Sequence, residues 1–269
     1  MPATAPPARS RAKLLARHGR ASPALVCPLV LAQAAEIEAL PVQRFLTDAT
    51  KLANGLQALH KAFGNDVIVT AAADDLAAAA AGAGSLTAHP RVTAAVEATR
   101  RLAVTADDAA LAAALPGPAR LAAQLGHPPT DHAVLEQYGA MLLVLAKAFL
   151  EAGANLLLLA ETDALPTGSG DSWRSAATPL VNVARFHQAA AAVVLADAAS
   201  AAAAPRGALI CLPPPDAGAG QGIALSPDPA AWQTPPPGAP LVTSLGPVRG
   251  GFAESRAAVR MLTAAVAEV

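Results

Sequence analysis

Acids close two apolar runs in this sequence, and those are the places where it could do chemistry. Asp74 and Asp75 come shortly after Val67-Ile68-Val69, and Glu161, Thr162 and Asp163 end the run that starts at Leu156. A carboxylate fixed beside a reacting centre stabilises positive charge that develops there. Two acids flanking a hydroxyl can hold a polar substrate or a proton. Each group also has a plainer use. Asp74 and Asp75 would favourably oppose the dipole at the start of a helix, and Asp163 can cap a loop.

The other candidates are sparser. Six histidines occur, at 18, 60, 89, 127, 132 and 187, with no HxH or HExxH spacing for a metal. His127 and His132 share one loop and are retained as substrate-binding candidates. His60 and His187 fall within helical stretches and read as surface residues. Arg91 and Arg185 could pair with substrate carboxylates, and Gln33 follows the first apolar run. Cys27 and Cys211 are far apart and form no CxxC pair, so they read as free thiols of a reducing, cytoplasmic setting. One thiolate cannot make a closed zinc site, and Cys211 reads first as a small buried apolar residue. Thr167 to Trp173, TGSGDSW, lacks the strand and helix context of a dinucleotide fingerprint and reads as a mobile loop.

Such residues need elements to bring them together. Residues 1–22 are rich in Pro, Ala and Arg and are expected to be a disordered arm. From Leu25 short apolar runs alternate with longer helical stretches, the mark of repeated βα units. Leu25 to Leu31 reads as a strand. Thr47 or Asp48 can cap a helix with Leu52, Leu56, Leu59 and Phe63 on one face, and Gly64 closes it. Val67 to Val69 is a buried strand, Val92 to Leu102 a helix and Leu111 to Leu115 a short strand. Val134, Leu135, Tyr138, Leu142, Leu145 and Phe149 share one helical face, and Leu156 to Leu159 is apolar throughout, as a strand buried on both sides must be. Ala184 to Ala203 reads as an alanine-rich helix stopped by Pro205. Beyond it, Ala208 to Leu212, Gly222 to Leu225 and Pro240 to Ser244 read as strands in Pro/Gly-rich surroundings, before a helix from Ser255 to Val269.

Composition bounds the partners. The chain has 269 residues, 54% hydrophobic and 14% charged, with a net charge of −1. That supports a sizeable core and excludes disorder along the whole length. It also argues against nucleic acid, which needs a basic face to displace counterions. Arginines before the apolar run at Ala24 imitate a signal peptide, but Pro23 and Pro28 interrupt it, and no segment reads as membrane-spanning. The expected partner is a small-molecule substrate, with a homodimer as the assembly to test.

The order of the pieces resembles a known family. Leu25 to Gly82, containing LPVQRFLTDATKLANGLQALHKAFGNDVIV, resembles the opening of the uroporphyrinogen decarboxylase superfamily, which includes cobalamin-dependent methyltransferases. LPGPARLAAQLG at Leu115 to Gly126 is similar to its GP-x-x-LA turn and helix, and LAKAFLEAGANLLLLAETDA at Leu145 to Ala164 to its helix, turn and strand. LSPDPAAW at Leu225 and TSLG at Thr243 are fainter echoes. The resemblance implies a (β/α)8 TIM-type barrel over residues 23–269, degenerate or shortened in its C-terminal third, with chemistry at the carboxyl ends of the strands. It implies a cofactor-free lyase acting on a carboxylated, tetrapyrrole-related small molecule. Asp74 or Asp75 would stabilise charge, Glu161 with Thr162 would orient substrate, and Gln33, Asp163, Arg91, Arg185, His127 and His132 would bind it. Counting back from Gly82, however, the family aspartate falls on Ala73, so this match carries a one-residue shift.

Departures keep two alternatives open. The family's arginine-rich stretch after strand one is here Leu31-Ala32-Gln33-Ala34-Ala35-Glu36, and its late LGH is Leu245-Gly246-Pro247. Corrinoid- or folate-linked methyl transfer is the first alternative. In that branch zinc is held by His-x-Cys and a later cysteine, whereas Leu209-Ile210-Cys211 supplies one thiol and none follows. A binding protein that has lost its active site is the second.

Overall fold

The computed structural model describes residues 5–72 and 86–267, and shows eight parallel strands wound into a nearly closed barrel. The strands are β1 (Leu25–Cys27), β2 (Val67–Ala71), β3 (Ala110–Pro116), β4 (Leu156–Glu161), β5 (Ala190–Leu195), β6 (Leu209–Leu212), β7 (Gly222–Leu225) and β8 (Leu241–Ser244). Consecutive strands are neighbours from β2 through β8, and β8 pairs in turn with β1. The expected (β/α)8 fold is therefore present.

Helices cover the first half of the wall. They are α1 (Ala8–His18), α2 (Leu31–Ile37), α3 (Val42–Phe45), α4 (Ala49–Phe63), α5 (Pro90–Thr105), α6 (Pro118–Gln124), α7 (His132–Glu151), α8 (Gly170–Phe186), α9 (Ala198–Ala201) and α10 (Phe252–Ala267). Asp48 caps α4 by accepting from Thr50 and Lys51 N–H, and Gly64 ends it at a φ of 76° that a side chain rarely tolerates. By length and mean hydropathy, 1.5, α7 could cross a bilayer, but here it packs on α8 with Leu135, Leu142, Leu145 and Phe149 buried. After β6 and β7 no α-helix forms before β8, so the C-terminal third is an abbreviated wall, as expected.

Strand alternation sorts the core into two clusters. Leu25, Cys27, Val67, Val69, Ala110, Ala112, Leu156, Leu158, Ala192, Cys211 and Ala224 point to the barrel axis, while Leu111, Leu157, Leu159 and Val193 meet the helices. Many inward residues are alanine, so the axis has room for a plug. Ala8, Ala12 and Leu15 of α1, one helical face, join that inner cluster from the amino-terminal end of the strands.

Four expectations change here. Residues 8–18 of the supposed disordered arm are this plug. Arg9 donates to the carbonyls of Leu102, Ala103, Ala106 and Ala109, while Arg11 pairs with Asp66 and donates to Pro6, Pro23 and Ala24 carbonyls. The TGSGDSW stretch turns into α8 at Gly170. The supposed helix from Ala184 contains β5, because burial on both faces of a parallel sheet outweighs the helix preference of alanine. Finally, β1 stops at Cys27 and Leu31 already begins α2.

Asp66 also joins β1 to β2, between which no strand ladder is formed among the described residues. Its Oδ2 accepts from Val26 N–H at 2.9 Å and its own N–H donates to Val26 O at 3.1 Å. One carboxylate thus closes the barrel seam and holds the plug.

Candidate active site at the carboxyl-terminal mouth

In this fold the loops at the carboxyl ends of the strands surround the site. Glu161 is the last residue of β4, and the alternation turns it outward, under the start of α6. Its Oε1 accepts from Ala119 N–H at 3.0 Å and Trp173 Nε1 at 2.6 Å, and its Oε2 from Arg120 N–H at 2.7 Å. This explains the GP-x-x-LA turn. Gly117 has no Cβ because one would overlap the Glu161 carboxylate. Pro118 occupies the first helical position, where its missing N–H is not needed. The next two N–H groups meet the carboxylate.

Glu161 is 2% exposed, and burial pushes its carboxyl up to about 7 against the pull of Trp173, of the two N–H donors and of the Arg120 guanidinium. Both its oxygens are engaged by the frame. It is a positioning residue that ties β4, α6 and α8 together.

The remaining expected residues scatter. Thr162 is half-buried and next in the alternation after the inward Leu158 and Ala160, so it continues the axial face; Asp163 is exposed. Ser226 extends the inward face of β7 in the same way, beyond Ala224. Gln33, 1% exposed, is consumed in the frame: its amide nitrogen donates to Val248 O, Gly250 O and Ser255 Oγ, pinning α2 to α10 and to the loop before it. Arg91 opens α5 on the mouth side, half-buried near Thr70, Ala71 and Ala72. His127 is exposed, its ring 5.9 Å from that of Tyr138, and His132 faces Glu136 at 3.3 Å. These two do not converge. Arg185 is a correction: it ends α8 at the opposite, amino-terminal end of the barrel and contacts Asn182 at 2.6 Å. Asp74 and Asp75 lie outside the described residues.

Both thiols are sealed. Cys27 and Cys211 face the barrel axis with no exposed surface; burial raises both, Cys211 to about 12. Among the described residues no three His, Cys, Asp or Glu side chains assemble around a point. The zinc-thiolate centre implied by the methyltransferase branch therefore does not fit the described residues.

Sequence reasoning missed Arg120, which is buried in the first turn of α6 beside Glu161, and Trp173. The turn motif signals the first, since a helix that begins at Pro118 under a strand end must carry residue 120 to the rim. Trp173 lay in a stretch read as a loop.

No family model matches the sequence, and no curated protein does either. Among solved structures, a methyltransferase from Methanosarcina mazei matches with a TM-score of 0.69 at 14% identity, covering 97% of this chain and 98% of that one. That settles the fold. The two chains share the (β/α)8 barrel over nearly their whole lengths.

Proposed function

We propose that this chain transfers a methyl group at the carboxyl-terminal mouth of its barrel, taking it from a corrinoid or a folate. The observation that carries this reading is the end-to-end correspondence with an archaeal methyltransferase. The rim supports it over decarboxylation. A polycarboxylate needs paired cations, yet of the two expected arginines only Arg91 is on the mouth side, Arg185 sits at the far end, Arg120 is buried beside Glu161, and Glu161, expected to orient substrate, is held under α6. The inward succession of Leu29, Ala160 and Leu245 with the hydroxyls of Thr162 and Ser226 suits a broad, weakly charged ligand.

In the transfer, the bond from carrier to methyl breaks with its electron pair left on the carrier. A lone pair of the acceptor forms the new bond, and a thiol acceptor releases its proton to solvent. The barrel binds and aligns the two partners and excludes water. Thr162 is the ligand contact we assign.

The test is to incubate the whole chain with methylcobalamin or methyltetrahydrofolate and excess thiol, following the methyl–cobalt absorbance and thioether formation. In parallel, carbon dioxide release is measured with a polycarboxylated pyrrole. Methyl loss above the uncatalysed rate supports the proposal. Carbon dioxide release without methyl loss would overturn it in favour of the lyase. Ligand-induced stabilisation with neither reaction would instead favour the binding-protein reading, which the sealed Glu161 and thiols also suit.

A further inference from the structure

We infer a second ligand site, for a compact polyanion, at the amino-terminal end of the barrel. A cavity of about 490 Å³ opens there between the end of α1 and the starts of β5, β6 and β7. Its origin is topological. α9 has four residues and leaves the outer face of β6 thinly covered, so Ile210 is only half-buried, and Leu209, on the axial face, is half-buried where the strand begins. That volume lies within the range of small-molecule pockets.

The charge around it is one-sided. Arg17 and Arg185 line the cavity with Gln221, and no acid does. A neighbouring hollow shares Arg185 and adds Arg206. Five arginines elsewhere face acids: Arg9 faces Asp107, Arg11 Asp66, Arg100 and Arg101 share Glu97, and Arg174 holds Asp171, while Arg20, Arg44 and Arg249 stand apart from one another without an acid among the described residues. Around the cavity, arginines without an acid partner cluster instead. Arg185 bonds neutral Asn182, and Arg17 and Arg206 have no hydrogen bond or ion pair to any described residue. Gly207, at φ +85°, leaves the backbone bare beside the Arg185 guanidinium, so that group can lie along the loop and face the opening. Arginines at helix ends also offset helix dipoles, which accounts for Arg17 and Arg185 singly. Arg206 is on a loop with no helix to serve.

Two guanidinium forks lining one small-molecule cavity, with a third in the adjoining hollow, fit paired phosphate or carboxylate groups, which they bind in bidentate fashion. Leu15, Val181 and Ile210 add apolar wall for a short carbon body.

The test titrates the whole chain with inorganic pyrophosphate, and separately with citrate, by calorimetry at constant ionic strength. Saturable one-to-one binding is expected, weakened about tenfold or more by Arg185→Ala and by Arg206→Ala, since a charge-assisted bond exceeds the free energy of one decade. Arg185→Lys should recover part of it, and Arg44→Ala, on the far α3, should cause no such weakening. Tighter binding of citrate than pyrophosphate assigns a carboxylate ligand; the reverse assigns a phosphate. No saturable binding of either, equal weakening by Arg44→Ala, or preference for single-stranded RNA over both would overturn the inference. All three arginines are at the surface, so the variants should unfold at the wild-type midpoint, which is measured alongside.

Discussion

Glu161 shows how a residue type can be legible while its role is not. The run Leu156 to Ala160 is apolar at every position, so nothing in it reveals which parity faces the axis; the structure turns the odd residues out, and the acid goes with them. A carboxylate with three N–H donors then becomes a fastener. Glu161→Gln keeps one acceptor oxygen but points an amide N–H₂ at a backbone donor, and should cost about 2 kcal/mol in urea unfolding at pH 7. The same group sets a pH dependence. Its folded value, about 7, is raised above that of an ordinary carboxyl, so the folded state binds the proton more tightly. The resulting stability is full below the ordinary carboxyl range and is lost as pH rises through about 7. The urea midpoint should fall across that window in the wild type, and the fall should be smaller in Glu161→Gln.

Among the elements, the strands and the long helices were readable because burial on two faces and a 3.6-residue period leave direct patterns. Where composition and tertiary context disagree the reading failed. The alanines at 190–192 look helical alone and are a strand in company, and the arginine-rich start looks like a solvated arm until its guanidiniums find helix-end carbonyls 90 or more residues away. The plug yields a prediction: Arg11→Ala leaves Asp66 and the Pro23 and Ala24 carbonyls without their partner, and should cost about 3 kcal/mol in unfolding free energy. Hydrogen exchange at Val26 should quicken with it, because that amide depends on Asp66. In β7, Gly222 is small because Cys211 Sγ occupies the space a Cβ would take. Gly222→Ala should destabilise by about 2 kcal/mol, and Cys211→Ala in the same chain should recover part of the loss, a coupling read by a double-mutant cycle.

At the scale of the molecule, the barrel was legible through the order of strand, turn and helix motifs, and the abbreviated wall through the Pro/Gly-rich stretch after residue 205. The site was much less so. A mouth is assembled from single residues at the ends of strands distant in sequence, and the spacing along the chain does not say which of them converge. What the structure adds is a rim of hydroxyl and apolar groups beside Arg91 and Arg120, above a core that seals both thiols. Methyl transfer by this chain should therefore need neither Cys211 nor a thiolate-bound zinc. The decisive measurement is the rate of methyl loss from methylcobalamin with Cys211→Ala, in the presence of a zinc chelator, once its unfolding midpoint shows it folded. The account predicts the wild-type rate; abolition of transfer by the substitution or by the chelator would contradict it.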